Sequence, residues 1–147
     1  VLVLPSLPAA KPDPAVLLMP APDPGWARAF CKLNGLDEQH MPTMGRMFQR
    51  LAVPSRFAAV QVVENPVSLG LGAVDDGMLG LFDLVTDANL RQNGLATRVV
   101  NALFAWAAAE GATSAYLQVM ESNAVALAWY QRLGFQPAYR YWFRARR

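Results

Sequence analysis

The chain has 147 residues, 54% apolar and 16% charged, with a formal net charge of +2. That size suits one globular domain with a core of its own, and so apolar and weakly charged a chain is not disordered as a whole. It holds no apolar run of about eighteen residues, which excludes a membrane-spanning helix. One cysteine, Cys31, and one histidine, His40, exclude an internal disulfide framework and supply a metal site poorly.

The basic balance rests on the extreme C-terminus: without Arg144, Arg146 and Arg147 the net charge falls just below zero. A solvated basic end is expected rather than a nucleic-acid-binding face. The first apolar residues have no basic segment before them and are interrupted by Pro5 and Pro8, so no signal peptide is read and a cytoplasmic setting is expected. The opening at Val1 leaves room for a preceding domain in a longer protein.

Residues 1–14 read as a proline-rich leader or linker, and 15–147 as a single domain. Residues 15–19 are short, apolar and bounded by prolines, which predicts a strand. From Asp23 the pattern is helical: Pro24 follows an Asp cap, Trp26, Phe30 and Leu33 recur at helical spacing, and Asn34-Gly35 stops the helix. A second short helix is expected over 41–51. After Pro54 the period becomes two, with strands at 57–63, 67–74 and 78–86. A turn at Glu64-Asn65-Pro66 and a hairpin signal at Asp76-Gly77 join them into a meander. Residues 95–110 form an amphipathic helix stopped by Gly111, 115–119 a strand, 123–133 a helix ended by Gly134, and 139–143 a final strand. Strand, helix, strand, helix, strand after a meander means a mixed α/β sheet with helices on its faces.

The junction at 81–97 is the informative stretch. A strand ends, a polar turn follows, and a helix starts beside Gly94. The free N–H groups of a helix start make an anion site, to which Arg91 adds charge and Thr97 a hydroxyl, while Ala96 removes bulk. A glycine that merely closes a loop is the plainer alternative. The stretch lacks the Gly-Lys-Ser/Thr end of a nucleotide-binding P-loop and the glycines of a dinucleotide fingerprint.

Arg91-Gln92-Asn93-Gly94-Leu95-Ala96 is similar to the pyrophosphate signature Q/R-x-x-G-x-G/A of the Gcn5-related N-acetyltransferase (GNAT) superfamily. Asn123, Ala126, Trp129-Tyr130 and Leu133-Gly134-Phe135 resemble its second signature, with a long helix and a strand between the two. The resemblance covers residues 67–143 closely and 15–63 by element order alone. It implies a sheet of six or seven strands in which 82–86 and 115–119 run parallel and splay into a wedge. Acetyl-CoA would lie there as acyl donor, its pantetheine arm against Leu84, Val85 and Thr86. Its pyrophosphate would rest on Gln92, Asn93, Gly94, Leu95, Ala96 and Thr97, with Ala126 among the donor-binding residues and Asn123 contacting the arm or helping to shape the acyl site. Tyr130 would protonate the leaving thiolate as an amine attacks the thioester directly in a ternary complex.

The general base is less determined. Asp83 is a carboxylate in an apolar strand, expensive unless paired or placed at a site, and reads either as a base or ammonium anchor or as a structural partner. Simple alternation places it on the face of Val85, with Leu84 and Thr86 on the other. Glu64, Glu121 and His40 are weaker candidates, and Cys31 reads as a small buried side chain. Expected partners are a primary amine of a small molecule, amino acid or peptide, and a second copy of the chain through the last strand. No membrane and no metal is expected. The rival reading is an inactive acyl-CoA-binding module of the same fold.

Overall fold

The structure is a computed structural model describing residues 1–142. In chain order the elements are β1 (Leu2–Leu4), β2 (Val16–Met19), α1 (Pro24–Leu33), α2 (Met41–Phe48), β3 (Ser55–Val62), β4 (Asn65–Asp75) and β5 (Met78–Thr86). They continue with α3 (Leu95–Ala109), β6 (Ser114–Leu117), α4 (Ala124–Arg132) and β7 (Gln136–Pro137). The seven strands form one sheet in the order β2-β3-β4-β5-β6-β1-β7. Only β5 and β6 run parallel, because a fifteen-residue α3 carries the chain back between them.

Two apolar layers flank the sheet. On one face α3 supplies Val99, Leu103, Phe104 and Ala107 against Leu79, Leu81, Ala115 and Leu117, and α4 adds Tyr130. On the other face Trp26 and Ala29 of α1 pack on Phe57, Ala59, Leu69 and Leu71. Trp26 is fully buried, and its indole N–H donates to Ala58 O at 3.0 Å, so its polar atom is satisfied where its ring is most useful. Close approach of α3 depends on glycine in β4. A Cβ on Gly70 would stand 2.7 Å from Leu84 Cδ2 and 2.8 Å from Val99 Cγ1.

The expected meander and the helices expected from Asp23, at 95–110 and at 123–133 are present. Three expectations are corrected. Residues 2–4, read as leader, form β1, pairing antiparallel with β6 on one side and β7 on the other. Leu2 and Leu4 are buried, which offsets the prolines that follow them. The rest of that segment is a strap: Leu7 N donates to Thr113 O, and Asp13 takes a bidentate pair from Arg98 at 2.7 and 3.1 Å. It runs beside α3 from the loop after its end to its first turns. Second, the strand expected at 139–143 is absent over Tyr139–Trp142: the ladder on β1 ends at Pro137, beyond it Ala138 N donates to Val1 O and the Val1 amino group to Tyr139 O, and Phe143 lies outside the described residues. Third, ends move: α2 stops at Phe48, β6 stops at Leu117, and the β3–β4 turn lies at Val63 and Glu64, both at positive φ, so that β4 starts at Asn65.

Candidate acyl-donor site

The wedge begins where a ladder ends. Leu81 and Leu117 are the last paired residues of β5 and β6. Strand β5 runs on to Thr86 with β4 as its only neighbour, so the edge of residues 82–86 facing β6 has no strand partner. Leu84, Val85 and Thr86 lie on that free stretch, where a ligand can take the place of a missing strand. The Thr86 hydroxyl meets Ser68 Oγ at 2.8 Å, which satisfies the fully buried Ser68.

From Thr86 the chain enters the turn. Asp87 caps a short 3-10 turn at Ala88–Leu90 by accepting from Asn89 N. Gln92 (φ 65°) and Gly94 (φ 74°) both occupy the left-handed region. The Asn93 side chain donates to Leu90 O and Arg91 O at 3.1 and 3.2 Å, so its amide holds the turn in shape. Gly94 brings no capping side chain to α3, and the first N–H closed by the helix is that of Arg98, on Gly94 O. The N–H groups of Leu95, Ala96 and Thr97 are thus left facing the turn. A Cβ at Gly94 would meet nothing within 4 Å, and Arg91 is exposed with no acidic partner among the described residues. Open space, free donors and one free cation fit a pyrophosphate.

Helix α4 stands beside this turn. Asn123 caps it, its side-chain oxygen accepting from Ala126 N at 3.1 Å. Tyr130 is the only residue of α4 that is buried, and burial pushes its phenol up to about 12. Its ring packs on Trp129 at 4.7 Å and Phe135 at 5.7 Å. The Tyr130 hydroxyl takes no hydrogen bond from the described residues, and no wholly enclosed side-chain polar atom among them lacks a partner. Its oxygen therefore reaches an accessible surface while the ring stays buried. A phenol so placed holds its proton and can give it to a neighbouring anion.

Asp83 corrects the alternation expected for it. Leu71 pairs with Phe82 and Leu69 with Val85, so Asp83 and Leu84 together oppose the single residue Gly70. This is a β-bulge, with Asp83 at φ 53°. Phe82 and Val85 both belong to the α1 face, and Leu84 packs on the α3 face. Strict alternation across residues 82–85 is lost, and Asp83 and Val85 no longer share a face by parity. Asp83 keeps exposed surface at the strand edge, yet burial raises its carboxyl above its ordinary value, with no cation or donor to oppose the shift.

Two contacts at the site are not readable from the sequence. Phe82 and Tyr116 meet edge to face at 6.0 Å on the α1 side of the wedge, crossing Gly80, whose Cβ would stand 2.6 Å from Phe82 Cε2. The Trp129 indole donates to Thr97 Oγ1 at 3.3 Å, so the hydroxyl expected only as a donor also accepts. Away from all this, Cys31 is fully buried, its Sγ 3.7 Å from Met44 Sδ. His40 and Glu64 are exposed, and Glu121 is paired with Arg140. A cleft of about 540 Å³ lies between residues 118–121, α4 and the chain at 139–141, and neither the turn nor residues 82–86 line it. No helix among the described residues is long and apolar enough to cross a membrane.

The chain is 30% identical over 126 residues to "Uncharacterized N-acetyltransferase YobR" of Bacillus subtilis, which covers 86% of this chain and 51% of that protein. The chain thus spans about half the length of this curated relative. Among solved structures, a GCN5-related N-acetyltransferase from Sphaerobacter thermophilus superposes with a TM-score of 0.69 at 18% identity, over 92% of this chain and 47% of that one. The aminoglycoside N-acetyltransferase AAC(6')-Iy, solved in complex with CoA, gives 0.71 at 15% identity, over 95% and 97%. The family model described as "Probable histone acetyltransferase Rv0428c C-terminal" matches residues 1–144. A sheet splayed at its one parallel pair, a capless helix start at Gly94 and a match along nearly the whole chain lead to one assignment: this protein belongs to that family, within the GNAT superfamily.

Proposed function

We propose that the chain is an acetyl-CoA-dependent N-acetyltransferase acting on a primary amine of a small molecule, amino acid or peptide, by direct attack in a ternary complex. The observation that carries this reading is the conjunction of an unpaired β5 edge at residues 82–86 with an open helix start at 94–97. Acetyl-CoA supplies the thioester. The N–H groups of Leu95, Ala96 and Thr97 would hold its pyrophosphate, with Arg91 as counter-charge. The strand edge at Leu84, Val85 and Thr86 would orient its arm. Asn93 shapes the turn and Asn123 fixes the start of α4, so both contribute through the backbone they hold.

The amine approaches from the α1 side, where Phe82 and Tyr116 are half-buried, whereas Leu81 and Leu117 seal the other face. Asp83 takes the ammonium proton, a role favoured by the raised carboxyl, since a base is most effective when its pKa nears the working pH. Tyr130 keeps its phenolic proton at neutral pH and gives it to the departing sulfur. The family description names histones, and a peptide lysine is one acceptor within this class. The binding-only reading predicts a bound donor without turnover.

The test is calorimetric titration with acetyl-CoA, followed by thiol release with phenethylamine, glycinamide, spermidine and a lysine-containing peptide. Donor binding lost in Arg91→Glu, with turnover on at least one amine, supports the transferase. Binding without turnover on any acceptor favours the inactive module, and no binding by a folded sample sinks both.

A further inference from the structure

We propose that Trp129 is a positioning residue that ties Tyr130 to the donor-binding turn, an inference that rests on the role given to Tyr130 above. Helix α4 buries only Tyr130, with Ala126, Leu127 and Trp129 packed half-buried on the core, and of these Trp129 makes a polar bond to α3. Its indole N–H bonds Thr97 Oγ1 at 3.3 Å, in the first turn of α3, and its ring packs on Tyr130 at 4.7 Å. A side chain that only filled space would need no acceptor, and Phe or Leu would serve as well. Here one side chain touches both the helix start that would hold the pyrophosphate and the phenol that would protonate the sulfur. The bond also occupies a lone pair of Thr97 Oγ1, leaving its own O–H free to donate into the turn.

The experiment uses the whole chain, with kcat and KM for acetyl-CoA measured on whichever panel amine turns over fastest. Trp129→Phe keeps a ring against Tyr130 and removes the indole N–H. Thr97→Val removes the acceptor, and Thr97→Ser restores it. The expected result is a fall in kcat of about tenfold in Trp129→Phe with acetyl-CoA affinity within about twofold of the unaltered chain. Thr97→Val should show the same fall, the double variant no further fall, and Thr97→Ser near-complete recovery.

A purely structural Trp129 would instead lower the melting temperature while leaving kcat of the folded fraction unchanged, which overturns the proposal. So would additive losses in the double variant. Tyr130→Phe is run alongside. If it leaves kcat intact, the role of Tyr130 fails first; if it lowers kcat and Trp129→Phe does not, only the brace fails. An unaltered chain that turns over none of the amines removes both.

Discussion

Replacing Gly94 by alanine separates backbone strain from ligand approach, because Gly111 offers the same strain at the opposite end of the same helix. Gly94 has φ +74° and Gly111 φ +90°, and an added Cβ would meet nothing within 4 Å at either position. Alanine therefore costs each site only the left-handed conformation, about 1–2 kcal/mol. For a domain of this size that lowers the melting temperature by roughly 2–8 °C. Donor binding should divide the two variants. If the pyrophosphate lies in the open space beside Gly94, an added methyl group crowds it, and losing one charge-assisted hydrogen bond costs about 1.5–3 kcal/mol. Acetyl-CoA affinity should thus fall at least about tenfold in Gly94→Ala and stay unchanged in Gly111→Ala. Gly94→Asn should recover much of the melting temperature, since Asn tolerates positive φ, without recovering the affinity. Calorimetry and thermal melts read both quantities. Equal affinity in the two alanine variants would refute the assignment of the turn as the pyrophosphate site.

Three further outcomes are expected. Asp83→Asn should slow amine transfer by about a hundredfold, and unchanged kcat would remove Asp83 from the chemistry. Because the folded Asp83 value is raised, its contribution to stability is full below the ordinary value of 3.8 and falls as pH rises through the folded value. The same variant should therefore raise the melting temperature more at neutral than at strongly acid pH. Tyr130→Phe should lower kcat with donor affinity retained. The folded phenol at about 12, against 10.0 ordinarily, means that stability holds below about pH 10 and declines from there toward about pH 12, by roughly 2–3 kcal/mol. Tyr130→Phe should lack that part of the alkaline decline. Gly80→Ala should cost about 1–3 kcal/mol by overpacking, seen as a lower denaturant midpoint. Phe82→Leu should relieve it more than Tyr116→Phe, because the ring atoms at 2.6 and 2.7 Å are nearer than the Tyr116 hydroxyl at 2.9 Å.

What the sequence exposes and what it conceals divides along the range of the forces. Asp23 before Pro24, Asp76-Gly77 and Gly94 are local signals, and each sets a backbone angle or a cap within a few residues, so α1, the β4–β5 hairpin and the start of α3 are legible. Strand β1 is not legible, because three apolar residues before a proline carry no period. Their fate is decided by an open edge on β6 more than a hundred residues away. The strand expected at 139–143 is not formed over Tyr139–Trp142 for a related reason: aromatic alternation is a local signal, while β1 occupies the place beside β6 and only Gln136 and Pro137 pair on its other edge. At the candidate site the sequence shows residues 91–97 and 123 as motif positions, but not the partners of their side chains. Thr97 finds Trp129, Asn93 finds its own turn, and Asn123 finds Ala126.

The bulge at Asp83 shows why chemistry and topology meet where they do. A parallel neighbour requires a long crossover, and β5–α3–β6 is the one parallel step in the sheet, so a helix start is delivered to the ends of two strands only here. That alone would leave the strands paired to their tips. The extra residue opposite Gly70 adds local twist and a bend, and β5 parts from β6 immediately before it, after Leu81. Gly70 must be small for the same reason, because Leu84 and Val99 converge on the space its side chain would need. Asp83 thereby sits in a strained conformation at the mouth of the opening made by its own bulge. Its raised value costs stability at neutral pH, which the proposed role as base would explain. If Asp83→Asn raised stability and left amine transfer untouched, that account would keep the bulge as architecture and lose it as chemistry.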